Sequence, residues 1–275
     1  LPKYFSSFYP VYRNLKLNKN DHVFFTTARR KDIALINFIT KIDNIHPKFH
    51  IRVFLPPKIK FKGFFYYLRE MNQVLKQNKA FVYLWSDFNF RFFTKNSFNK
   101  SNIYKSNIPW TFYSRKLKKD NHTIGFMGDA RRARGFHLLP KLIKRLETKN
   151  KTFNYLIQFS KINDDLIETK RELYKMAKNN KKIKIIEKYS DYKEFLGYLK
   201  KIDIMPILHN AKEINTVTSG TLYSCVPYEV PIVVPSGTEF MKNIQKFKSY
   251  EKAKNLNDFA DKIHVISQNY SFYLK

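Results

Sequence analysis

Glycine is scarce in this chain, with 7 in 275 residues, and its placement shows where the backbone must come close to something. Three fall in the stretch Gly125-Phe-Met-Gly-Asp-Ala-Arg-Arg-Ala-Arg-Gly135, which also holds Arg131, Arg132 and Arg134 around Gly128. Glycines admit a ligand close to the backbone, and a helix that follows offers free N–H groups and the positive end of its dipole. Guanidinium forks match phosphate oxygens. That combination is phosphate-binding chemistry, set against the plainer reading of a solvated basic turn whose glycines serve packing. Gly220 and Gly237 lie in two Ser-Gly-Thr tripeptides, 219–221 and 236–238. Hydroxyls beside free N–H groups can cradle an anion, and they cap helices equally well. On successive strand–helix units near the arginines, Ser219, Gly220 and Thr221 share one crevice with them, and a diphosphate suits it.

Other chemistries are absent by inspection. No G-x-x-x-x-G-K-[ST], G-x-G-x-x-G, G-x-S-x-G or H-E-x-x-H motif occurs. No D-x-D occurs either, so no metal site is expected and no cofactor is called for beyond a substrate. His46 and His50 form an H-x3-H pair with Pro47 between them and no carboxylate after it, which reads as a surface loop. The single cysteine, Cys225, excludes a disulfide framework and reads as core packing. Asp87, just after an apolar run, is the one carboxylate placed to act as a catalytic base, and capping a helix is its competing role.

Elements must hold these residues. Apolar runs at His22–Thr27, Phe49–Leu55 and Phe81–Trp85 alternate with amphipathic stretches near 31–43 and 64–77. From about 97 to 120 the chain is polar, basic and aperiodic, and reads as a connection. Beyond it, strands are expected at Thr123–Met127, Phe153–Phe159, Ile183–Ile186, Ile204–Leu208 and Pro231–Val234. Helices are expected at Phe136–Glu147, Asp164–Lys178 (capped by Asn163), Tyr192–Lys200 (capped by Ser190 or Asp191) and from Ser219 to about Pro227. A further helix is expected to open at Ser236–Thr238, and a last one near 256–267. This is the α/β pattern of parallel sheets wound on both faces, about five strands in the second part. It divides into 1–110, a linker 111–120 and 121–275. The chain begins at Leu1 without a Met, which suggests a missing N-terminal piece. No apolar run reaches the roughly 20 residues a membrane span needs.

Charge has two open readings. The 52 Lys and Arg against 22 Asp and Glu give +30, with net +18 in residues 1–120 and +12 in 121–275. Such a surplus fits nucleic acid or an anionic membrane. Yet only 12 of the 52 are Arg while Lys, Asn, Ile, Phe and Tyr abound, the signature of AT-rich drift.

The segment Ile124–Pro140 resembles the G-x(n)-[KR]-G-x-x-x-L opening of the donor domain in GT-B-fold glycosyltransferases of the group 1, glycogen-synthase-like type. Asp203-Ile-Met-Pro206 is similar to their D-[IV]-x-[LV]-x-P strand. Thr218–Thr221 through Glu229–Pro235 is similar to the helix and strand that hold the nucleotide sugar. The resemblance covers about 120–250 well, and 20–95 only as a strand–helix pattern. It implies two Rossmann-like doubly wound domains with parallel sheets, the N-terminal one incomplete. It further implies metal-independent transfer of a sugar from a nucleoside diphosphate to a glycan or lipid-linked acceptor. The setting it suggests is cytoplasmic cell-envelope polysaccharide synthesis, peripheral at the inner membrane face. Gly128, Arg131, Arg132, Arg134, Gly135, Thr218, Ser219, Gly220, Thr221 and Glu239 then bind the donor. The family's usual Arg after the first glycine is Asp129 here, Arg134 replaces its Lys, Thr216 and Ser224 replace its paired glutamates, and Glu229 replaces a glycine. Two rivals remain: an inactive GT-B-fold partner subunit, and a basic nucleic-acid-binding protein. Against the latter, no RNP, KH or zinc motif appears.

Overall fold

A computed structural model describes the chain apart from residues 1, 2, 26, 27, 29, 44, 45, 54–63, 77–79, 85, 86, 97–99, 107–120, 150–152, 211–218, 239, 240, 242, 243, 246, 248 and 275. Also outside it are the side chains of 3–8, 30, 64, 65, 67, 87–89 and 96. Two compact units emerge, Leu1–Ile108 and Pro109–Asn215 with Ser219–Lys275.

The first unit runs α1 (Lys3–Asn14), β1 (His22–Phe25), α2 (Arg30–Ile42), β2 (Lys48–Val53), α3 (Phe64–Lys76), β3 (Ala80–Leu84), α4 (Asp87–Asn96), β4 (Ile103–Lys105). Its strands are parallel and lie in chain order, β1-β2-β3-β4. When each crossover steps the same way with the same hand, the connecting helices fall on one face. The core agrees: Ile36 of α2, Val74 of α3 and Phe93 of α4 cluster with Phe49, Ile51 and Val82 of the strands. The alternate strand residues form the other face. Phe24, His50 and Phe81 stand in register there, as do Tyr83 and Tyr104. Ring centroids lie 4.3 Å apart for Phe24–His50, 5.0 Å for His50–Phe81 and 5.6 Å for Tyr83–Tyr104. Phe24 is 65% exposed.

Two elements depart from the sequence reading. Strand β4 lies inside the stretch 97–120 taken as a connection, and three edge residues are too few to show alternation. Helix α1 carries Pro10 in its interior, a residue that ordinarily argues against a helix.

The second unit runs β5 (Thr123–Met127), α5 (Leu139–Lys149), β6 (Asn154–Phe159), α6 (Ile167–Asn179), β7 (Ile183–Glu187), α7 (Tyr192–Leu199), β8 (Met205–Pro206), α8 (Gly220–Cys225), β9 (Ile232–Pro235), β10 (Tyr250–Ala253), α9 (Leu256–Gln268), α10 (Tyr270–Tyr273). Parallel ladders β5-β6-β7 and β8-β9-β10 meet at a bridge between Ile124 and Ile204. There Gly125 N donates to Ile204 O at 2.9 Å. A Cβ on Gly125 would stand 2.4 Å from the Ile202 side chain, so the glycine allows the two ladders to close up. Asp203, 2% exposed, accepts from Thr123 N at 2.8 Å and ties the same junction, a structural task for the family's strand aspartate.

Across both ladders the order is β7-β6-β5-β8-β9-β10, the 3-2-1-4-5-6 order of nucleotide-binding doubly wound sheets. Six strands replace the expected five, because β10 is a polar edge strand without an apolar signal. Cys225 is fully buried, as expected. Of the expected caps, Asp191 accepts from Glu194 N at 2.8 Å, whereas Asn163 makes no side-chain cap bond. Thr238 donates to Pro235 O at 2.9 Å, and 239 and 240 lie outside the described residues.

Candidate functional site

In sheets of this order ligands bind beyond the strands' carboxyl ends, where the winding reverses. Here that point lies between β5 and β8, and the Arg-rich segment follows β5. It does not open a helix at Phe136. Two 3-10 turns, Arg132–Arg134 and Phe136–Leu138, come first, and α5 starts at Leu139, so the helix N-terminus stands further along the chain than expected. Gly135, at φ 77°, hinges the two turns. A Cβ there would lie 2.1 Å from Leu208 O, so the turn rests directly on the backbone beyond β8.

Gly128 has φ 113°, and a Cβ on it would lie 2.3 Å from Arg134 Nη1. Its missing side chain is the space that the guanidinium occupies. The three arginines separate by partner. Arg131 pairs with Asp129 at 2.6 Å and Arg132 with Asp165 at 2.9 Å, both well exposed. Among the described residues Arg134 makes no ion pair. It is partly buried, and burial lowers its pKa while Asp129 works against that shift. A partly desolvated guanidinium whose neighbouring carboxylate, Asp129, is already paired with Arg131 keeps hydrogen-bonding capacity for an anion.

From the β8 side come two groups. Thr221 Oγ donates to Met127 O at 3.4 Å, which brings the start of α8 onto the end of β5. Ser219, 5% exposed, caps α8 by accepting from Leu222 N at 3.3 Å, so its hydroxyl does the capping job that competed with anion binding. His209 is the residue that sequence reading passed over. It follows the β8 strand at the same end as the glycine turn, which is the signal that could have found it. With Arg134 and Thr221 it lines a cavity of about 10 Å³, room for one water. Burial, then the positive Arg134, push its pKa down to about 4.

Thr218, Thr216 and Glu239 lie outside the described residues. Gly220 is in α8, and nothing stands within 4 Å of where its Cβ would be. Ser224, in place of a family glutamate, donates back to Gly220 O at 3.0 Å. Glu229 adopts φ 50°, the left-handed conformation that explains the family's glycine there. Asp87 opens α4, and its side chain lies outside the described residues.

In the first unit, a cavity of about 390 Å³ is lined by Phe24, Phe25, His50, Arg52, Tyr83 and Ser106, toward the carboxyl ends of its strands. His50 is therefore a strand residue and not part of a loop with His46. It shares hydrogen bonds with His22 at 2.7 Å and Tyr83 at 2.9 Å, and burial, with His22 and Lys48, holds its pKa below the usual value. No group of three or more potential metal ligands occurs among the described residues. Among them, too, no helix is long and apolar enough to cross a membrane. The stretch Lys58-Ile-Lys-Phe-Lys-Gly-Phe-Phe-Tyr-Tyr67, where aromatic rings alternate with lysines in a way that could suit an anionic membrane, falls largely outside the described residues.

No protein-family model matches the chain, and no curated protein does. Solved structures do. The chain is similar to Anabaena HepE in complex with UDP, at 10% identity and TM-score 0.68, covering 96% of this chain and 74% of that one. It is similar to sucrose-phosphate synthase from Thermosynechococcus elongatus at 10% identity and TM-score 0.66, covering 100% and 70%. A UDP-forming α,α-trehalose-phosphate synthase from Burkholderia vietnamiensis matches at 9% identity and TM-score 0.62, covering 95% and 70%. With parallel α/β sheets throughout and these neighbours, the chain has the GT-B-type fold that its sequence motifs imply.

Proposed function

We propose that the chain is a glycosyltransferase whose second unit holds a nucleoside-diphosphate sugar at the β5–β8 switch point. Arg134 carries the reading: it is partly buried, it makes no ion pair among the described residues, and it lies in space left by Gly128. A guanidinium so placed stabilises the diphosphate as its charge grows on departure, without a metal ion or a cofactor. HepE, which shares the fold, is seen with UDP. The acceptor, a glycan or lipid-linked sugar, is assigned to the first unit, whose cavity combines aromatic rings with Arg52, Tyr83 and Ser106. Work at the inner membrane face on an envelope polysaccharide belongs to the same reading, supported by the net +18 of residues 1–120.

A thermal-shift and calorimetry screen tests the donor site. UDP or GDP is expected to stabilise the protein, and single-stranded oligonucleotides are not. Oligonucleotide binding alone, lost in moderate salt, would instead favour the nucleic-acid rival. Nucleotide binding without any transfer to glycan acceptors would point to the inactive partner subunit.

A further inference from the structure

We propose that His209 is a second binding group for the donor diphosphate, set opposite Arg134, and that it takes up a proton as the nucleotide sugar binds. The inference rests on the donor-site reading above and adds a residue and a proton to it.

Geometry places the imidazole. His209 follows β8 at the carboxyl end of the sheet, and the next residue, Asn210, donates from its backbone N to Ala133 O at 3.1 Å. That bond holds the segment against the Arg132–Arg134 turn. His209, Arg134 and Thr221 then line one small cavity. A diphosphate is too large to enter about 10 Å³, so it lies across the mouth, within reach of both nitrogen-bearing side chains.

Charge decides the protonation. Among the described residues that line the cavity, Arg134 is the one other titratable group. Behind it stand Asp129 and Arg131, which pair with each other at 2.6 Å. Two cations cannot share a partly desolvated site cheaply, so the free protein keeps Arg134 charged and the imidazole neutral, its pKa held down to about 4. An arriving diphosphate offsets the repulsion and accepts a charge-assisted hydrogen bond from the imidazolium. The His209 pKa is therefore higher in the complex than in the free protein. The sign follows: affinity is greatest below the free-protein pKa of about 4 and falls, by up to about tenfold per pH unit, until pH has risen through the bound-state pKa.

UDP-glucose and GDP-mannose are the probes, because a diphosphate esterified at both ends lacks the group that titrates near pH ~6 in a terminal phosphate. Calorimetry in two buffers of different ionisation enthalpy counts the protons. The wild type should take up a fraction of a proton per sugar nucleotide at about pH 6.5 and bind more weakly as pH rises toward about 8. His209→Gln should bind with an affinity flat in pH and with no uptake. The Cε1–H resonance of His209 in the wild type, titrated with and without UDP-glucose, gives an independent answer should the variant fold poorly. Its pKa must rise in the complex. Binding without uptake, an unchanged His209 pKa, or uptake that survives in His209→Gln would overturn the inference and leave the donor site standing. Failure of both sugar nucleotides to bind at every pH would refute the donor-site reading, and this inference with it.

Discussion

The two sheets are built from the same strand–helix unit and differ in how the winding proceeds. In the first, successive strands step one way, β1-β2-β3-β4, so the core collects on one face and rings such as Phe24 and Tyr104 stay exposed on the other. In the second, the chain adds β6 and β7 on one side of β5 and then returns to place β8 on the other. That reversal leaves the loops after β5 and β8 diverging from a common edge. Six of the seven glycines lie in the second unit, and Gly125, Gly128 and Gly135 are all at the reversal. The candidate site lies at a change of direction, and the glycines let the backbone follow it.

Three experiments sharpen or break this contrast, in order of expected effect. The first concerns the one-sided sheet. Phe49, 1% exposed on the core face, should cost about 3–5 kcal/mol when truncated to Ala. Phe24→Ala, on the open face of the adjacent strand, should change stability by no more than about 0.5 kcal/mol. Urea unfolding reads both; equal costs would mean that the open face is a core face after all.

The second concerns the turn. Gly135→Ala places a methyl against Leu208 O and asks an L-residue to hold φ 77°. Left-handed strain of about 1–2 kcal/mol and overpacking of about 1–3 kcal/mol together predict roughly 3 kcal/mol of lost stability. The loss should appear as earlier unfolding of the second unit, followed by hydrogen exchange on β5 and β8. A neutral substitution would show that the turn does not rest on β8.

The third separates ligand from scaffold. Arg134→Ala should weaken nucleoside-diphosphate binding by about 1.5–3 kcal/mol, the scale of a lost charge-assisted hydrogen bond, and leave folding intact. Gly128→Ala displaces the same guanidinium and should weaken binding by a similar amount. In the double mutant the two losses should not add, because both act through one side chain. Additive losses would show that Gly128 acts by a route other than Arg134, and unchanged binding in Arg134→Ala would place Arg134 away from the diphosphate.

Much of this was legible in the sequence. The Gly-Arg stretch marked the end of β5 because glycine is rare here and three arginines accompany it. The apolar runs marked β5 to β9 because buried parallel strands are nearly all apolar. The polar strand β10, the three-residue β4 and the Pro-containing α1 carried no such signal. The resemblance already set Arg134 apart as the counterpart of the family's Lys, but local order did not show which of the three arginines has a carboxylate partner. The fold adds that, by bringing Asp165, 33 residues beyond Arg132, to its side.

What the sequence determined by itself was the class of fold and the stretch of chain on which the proposed site rests, since hydrophobic periodicity and glycine spacing are local properties. What tertiary structure decided was which arginine makes no ion pair among the described residues, that Ser219 spends its hydroxyl on a cap, and that His209 lines one cavity with Arg134. Those outcomes depend on distances between residues far apart in the chain, here Arg134 and His209, and on how much water packing removes from between them. Neither quantity is written in the local order of side chains.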